Sequence, residues 1–124
     1  MLDPRKQLGN TAEAVAATYL QEKGYRVLAR QFRKTFGEID LVCQDGNEVV
    51  FVEVKARASS DYGYPEEAVT EKKIGHLVQV GEAYLAQKHL EELPWRIDVV
   101  SVEYKTSPPT VTHIEDIDIP EKFW

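Results

Sequence analysis

Residues 37–57, GEIDLVCQDGNEVVFVEVKAR, constrain this chain more than any other segment. Asp45-Gly46-Asn47 is a tight-turn signal, and on each side of it residues alternate with the period of two that belongs to an antiparallel hairpin. In the first arm Glu38, Asp40 and Val42 fall on one face and Ile39, Leu41 and Cys43 on the other. In the second, Val49, Phe51, Glu53, Lys55 and Arg57 oppose Val50, Val52, Val54 and Ala56. A two-residue loop at Gly46-Asn47, or a four-residue loop over 45–48, sets Asp40 directly opposite Glu53. A two-residue loop at Asp45-Gly46 makes the pair diagonal on the same face, and only a three-residue loop separates them.

Such a pairing is costly by itself. Opposed carboxylates repel, and Glu38 adds a third negative charge, so the cluster calls for a cation between its members. A hard divalent ion, magnesium or manganese, takes oxygen ligands and often only one or two carboxylates, which suits Asp40 and Glu53. The backbone carbonyl of Val54 offers a further ligand. Lys55, on the face of Glu53, puts a point charge where a phosphate or an activated water would sit. These parts together describe phosphodiester hydrolysis. Glu13 lies about 100° from Ala12 on a helical wheel, at the border of the apolar stripe, so a first helix packed on the sheet would let it reach the same pocket.

The rest of the chain supplies a scaffold. Leu8, Ala12, Val15, Ala16, Tyr19 and Leu20 mark a helix over residues 4–23 that stops at Gly24, and residues 25–32 read as a strand carrying Arg26, Arg30 and Lys34 on one side, with Arg33 near its end. After a polar loop over 58–65, in which Tyr62 and Tyr64 flank Gly63, and a short turn at 66–69, Ile74, Leu77, Val78, Gly81, Tyr84 and Leu85 mark a second helix over 70–90. Strands follow at 96–104 and, weaker and at an edge, at 111–114. This predicts a three-strand meander plus one or two further strands in a small mixed sheet flanked by helices.

At 124 residues one domain spanning 1–124 is expected, and a lone cysteine, Cys43, forms no intrachain disulfide, which points to a reducing, cytoplasmic setting. The start MLDPRKQLGN has no apolar signal core and no apolar run approaches a membrane span, so no membrane partner is expected. A net charge of −6 argues against a nucleic-acid partner only when averaged over the chain. Residues 1–37 carry seven basic against three acidic side chains, and the negative excess lies beyond them.

The strings Gly37-Glu38-Ile39-Asp40-Leu41-Val42 and Phe51-Val52-Glu53-Val54-Lys55-Ala56-Arg57, preceded by Glu13 in Glu13-Ala14-Val15-Ala16, resemble the YraN-like family. So do Gly24-Tyr25, Phe32-Arg33, Lys73, Tyr84-Leu85 and Arg96-Ile97-Asp98-Val99. That family is similar to Holliday-junction resolvases within the PD-(D/E)xK, restriction-endonuclease-like superfamily. The resemblance implies that α/β fold, metal ligation by Asp40 and Glu53, catalysis by Lys55, an accessory acidic role for Glu13 and supporting roles for Glu38 and Lys73. Ile39 stands where the superfamily's name puts Pro, and Ala12 where relatives often have Gly. The expected activity is a magnesium- or manganese-dependent nuclease acting on DNA rather than RNA, branched DNA included, with Arg26, Arg30, Arg33, Lys34, Arg57 and Lys72 along the phosphates. A two-fold-symmetric junction would call for a homodimer. The competing readings are a nuclease-fold binding or scaffold protein without turnover, and an RNA-directed enzyme. Cys43 reads as core, and His76, His89 and His113 as structural or surface groups.

Overall fold

The computed structural model describes residues 4–58 and 69–124, with side chains from Thr11 onward; Tyr62, Gly63, Tyr64 and the turn expected at 66–68 lie outside the described residues. Its elements are α1 (Pro4–Glu22), β1 (Arg26–Lys34), β2 (Gly37–Asp45), β3 (Glu48–Arg57), α2 (Glu71–Gln87), β4 (Trp95–Glu103), β5 (Thr110–Ile114) and a 3₁₀ turn at Glu121–Phe123. The five strands form one sheet in the order β1-β2-β3-β4-β5, antiparallel except for the parallel pair β3–β4 that α2 bridges. This is the small mixed sheet flanked by helices, a three-strand meander plus two further strands, that the residue pattern predicts.

Each helix covers one face. Ala12, Ala16, Ala17 and Leu20 of α1, all fully buried, pack on Leu41, Cys43, Val50, Val52, Val100 and Val102. Small side chains let α1 lie close to the sheet. On the other face, Ile74, Leu77, Val78, Tyr84 and Leu85 of α2 pack on Val42, Val49, Phe51, Ile97 and Val99. There Gly81 sits under Phe51, where an added Cβ would stand 2.6 Å from the ring.

Local signals explain the helix ends. Gly24, at φ +96°, closes α1 with Tyr25 N–H donating to the Leu20 carbonyl and Gly24 N–H to that of Gln21, the paired bonds of a Schellman stop. Thr70 caps α2 by accepting from the Lys73 N–H at 3.2 Å. The sequence pattern carries α2 to residue 90, but the helix ends at Gln87: His89 takes φ +57°, and His89 and Leu90 donate to Ala86 and Leu85 in the same Schellman arrangement. Leu90 stays apolar-facing without being helical, so periodicity alone ran past the stop.

Two irregularities in β1 correct the expected alternation. Leu28 is a bulge between the pairs Val27–Cys43 and Ala29–Val42. Arg26, opposite Gln44, therefore lies on the α2 side while Arg30, opposite Leu41, lies on the α1 side, so Arg26, Arg30 and Lys34 do not share one face. Gln31, at φ +50°, breaks the alternation again. Beyond it Phe32 and Ile39 pair on the α2 side, with Phe32 edge-on to Tyr84, instead of Ile39 following Leu41 and Cys43. Glu38, opposite Arg33, is thereby turned toward α1, away from the face of Val42.

Candidate active site

The hairpin loop is the two-residue one at Gly46-Asn47, closed by the pair Asp45–Glu48, with Gly46 at φ +61°. That register carries Asp40 opposite Glu53, but the ladder stops one pair short, at Leu41–Val52. Where it stops, the Val54 N–H donates to Asp40 Oδ2 at 2.8 Å. A carboxylate thus occupies the place of a ladder acceptor in a gap between β2 and β3. Since the N–H and C=O of a strand residue point toward the same neighbour, the Val54 carbonyl faces this gap as well.

Groups reach the gap from both sides of the sheet. From α1, Glu13 approaches Glu38 and Asp40, and one oxygen of each lies within 4.8 Å of the others. Gln31 holds Glu13 Oε2 at 2.9 Å, and Arg33 Nε pairs with Glu38 Oε2 at 2.9 Å. From the α2 side, Glu53 is 5% exposed. Lys55 from its own strand and Lys73 from the first turn of α2 both stand 3.6 Å from its Oε1. Its Oε2 is buried with no hydrogen-bond partner among the described residues.

Electrostatics follow from this crowding. Burial pushes the Glu53 carboxyl up to about 7, with the Asp40 charge adding to the rise and Lys73 and Lys55 opposing it. Burial and then Asp40 push Glu13 up to about 7. Asp40 is raised too, chiefly by burial, against the Val54 N–H that favours its ionised form. Three cations, Lys55, Lys73 and Arg33, thus face four carboxylates, with the Gln31 and Val54 amides as further donors, and among the described residues the groups that could ligate an ion here are oxygens.

Of the other residues expected to act here, Lys73 joins the group while Lys72 is exposed on the same turn and Arg57 is partly buried at the end of β3. Arg26 and Arg30 are exposed on opposite sides of the sheet, and Lys34 hydrogen-bonds Gln87 at 3.2 Å. Gln31 was missed: nothing in a strand reading marks a residue that takes positive φ and turns to hold Glu13. Also missed was a second charged cluster beside α1. Asp98, fully buried, accepts from Arg96 Nε at 3.0 Å and from the Asp116 N–H at 2.9 Å, and bonds His113 Nε2 at 2.7 Å; Arg96 also reaches Tyr25, Asp45 and Glu48. An Arg-x-Asp on one face of an otherwise apolar strand was the available signal. The partners outweigh burial and hold the Asp98 carboxyl below its ordinary value. Cys43 is core, its thiol pushed up to about 12 chiefly by burial.

Among the described residues no helix is long and apolar enough to cross a membrane. Residues 12–102 match the model of the uncharacterised protein family UPF0102. Relatives include UPF0102 proteins of Symbiobacterium thermophilum, 47% identical over 98 residues (79% of this chain, 83% of the relative), and of Syntrophomonas wolfei, 42% identical over 111 residues (88% and 95%). The SfsA protein of Pyrococcus furiosus, solved in complex with Ca2+, is a far more distant likeness: TM-score 0.39 and 14% identity over 94% of this chain and 65% of that one.

Proposed function

We propose that this chain, which belongs to the UPF0102 family, is a metal-dependent nuclease that hydrolyses phosphodiester bonds in DNA. The observation that carries the reading is Glu53 Oε2, a carboxylate oxygen buried without a hydrogen-bond partner among the described residues, where the β2–β3 ladder ends beside Asp40. A buried carboxylate oxygen without a partner is relieved either by keeping a proton, which the raised Glu53 carboxyl favours, or by a cation that completes it. The donor set fits a hard divalent cation, magnesium or manganese: Asp40, Glu53 and the Val54 carbonyl would hold it, with Glu13 as an accessory. When bound, such an ion polarises a phosphate oxygen and acidifies a water.

The chain's own groups divide the remaining work. Lys55 and Lys73, both on Glu53 Oε1, are point charges free to turn to a phosphate once that oxygen has another partner. Glu13, with its carboxyl near neutrality and held by Gln31, is suited to taking and returning a proton. Glu38 fixes Arg33 at the rim.

One feature favours a second reading, a nuclease-fold protein that binds nucleic acid without cutting it. Glu53 Oε1 already has two ammonium partners, which would leave the ion weakly held. Both readings meet one experiment, incubation with linear and branched DNA in magnesium or manganese. A nuclease cuts, and Asp40→Ala and Lys55→Ala each lower the rate at least 100-fold. Cutting that survives both substitutions sinks the site assignment, and binding without any cutting selects the second reading. RNA substrates of the same shapes, run in parallel, decide between DNA and RNA.

A further inference from the structure

Two large apolar side chains stand in solvent among the described residues, Phe36 at 39% exposure and Trp124 at 72%. Trp124 stacks on Trp95 with ring centroids 5.1 Å apart, whereas no ring among the described residues stacks on Phe36. Phe36 occupies the two-residue turn between β1 and β2, next to the closing pair Lys34–Gly37. The turn is braced. Gly37 lies so close to α2 that an added Cβ would meet Val80 Cγ2 at 3.0 Å and His76 Cβ at 3.6 Å. Arg33 is tied to Glu38, and Lys34 to Gln87. Lys34 bonds a neutral amide and lies over the Phe32 ring at 5.4 Å, so no carboxylate among the described residues neutralises it.

A braced tip that holds a partly exposed aromatic ring, between two basic residues and the acidic site, has the parts of a base-stacking platform. Glu38, two residues on, belongs to the acidic cluster. Asp40 is four residues on, at most about 14 Å along the strand, which is about four base-pair steps. A fully stacked duplex offers its π-faces only at its ends, and wedging a ring between stacked bases costs a few kcal/mol per step, so the ring engages a base most readily where a neighbour has been lost. We propose that the β1–β2 hairpin tip, with Phe36 as stacking platform and Lys34 and Arg33 as phosphate contacts, recognises an unstacked base in DNA within about four nucleotides of the scissile phosphate. The position of the cut rests on the nuclease reading; the stacking does not.

The test uses the full chain without metal and two DNAs, a perfect duplex and the same duplex with one bulged 2-aminopurine. Wild type is expected to bind the bulged DNA more tightly and to change the emission of 2-aminopurine. Phe36→Ala should weaken bulge binding about 5- to 100-fold, the range of a lost base–aromatic stack, with less than about a 2-fold effect on the duplex, while Phe36→Trp retains both. Equal binding of the bulge by Phe36→Ala and wild type, an equal loss on both DNAs, or no bulge preference in wild type overturns the proposal. Cutting in magnesium or manganese is scored separately. A protein that holds the bulge through Phe36 and never cuts removes the nuclease reading and leaves the platform standing; one that cuts bulged DNA equally well with Phe36→Ala does the reverse.

Discussion

Replacing Glu53 with Gln should change how stability depends on pH more than it changes stability at any one pH. In the folded chain the Glu53 carboxyl titrates at about 7, against 4.5 for an ordinary glutamate. Between those values the folded state keeps a proton that the unfolded chain has released. Stability is therefore greatest below about 4.5 and falls as pH rises through about 7. A separation of about 2.5 units corresponds to at most about 3 kcal/mol at 1.36 kcal/mol per unit. Asp40 deprotonates beside it and carries part of the same cost, so about 2 kcal/mol belongs to Glu53 itself. With an unfolding entropy of about 2.1 cal/mol/K per residue, 124 residues give about 0.26 kcal/mol/K, and 2 kcal/mol becomes about 8 °C in Tm. Thermal melts followed by circular dichroism in EDTA at pH 5 and pH 8 measure it. Wild type should lose about 8 °C more than Glu53→Gln over that interval. If the two proteins shift in parallel within about 2 °C, Glu53 does not carry an unmet charge in the folded state, and the main argument for a cation site goes with it.

Manganese or magnesium should raise Tm more at pH 8 than at pH 5.5, since protons and the ion compete for the same carboxylates, and Glu53→Gln should abolish most of the rise; equal rises at both pH values would mean binding elsewhere. Asp98→Ala should cost about 3–5 kcal/mol in urea unfolding, because Arg96 and His113 lose the fully buried carboxylate that both contact, and a loss below about 1 kcal/mol would show that the remaining partners suffice. Gly81→Ala should destabilise by about 1–3 kcal/mol, since its Cβ would stand 2.6 Å from Phe51, and an unchanged urea midpoint would mean that α2 can lift off the sheet freely.

Much of this protein was decided by local chemistry that a sequence displays. The hairpin and a register that carries Asp40 toward Glu53 follow from the turn residues and from a side-chain period of two, because a one-residue slip would have put charges into the core; which loop closes the hairpin was left open by the residues and is decided by the Asp45–Glu48 closing pair. Both helices, the crossover to β4 and the edge strand β5 follow from apolar spacing. What periodicity missed are departures from regular backbone. The Leu28 bulge and the positive φ of Gln31 leave no pattern in the residues themselves, yet they decide that Arg26 and Arg30 part company, that Ile39 turns to α2 and that Glu38 turns to α1. The candidate site was accordingly expected as one charged face and lies instead where the β2–β3 ladder ends, approached by Glu13 and Glu38 from one side and by Glu53, Lys55 and Lys73 from the other. Residue types and spacing marked Asp40, Glu53 and Lys55 as a candidate cluster. Only the tertiary structure could decide which of them meet, because contacts between α1, β2, β3 and α2 depend on how two helices settle on opposite faces of one twisted sheet.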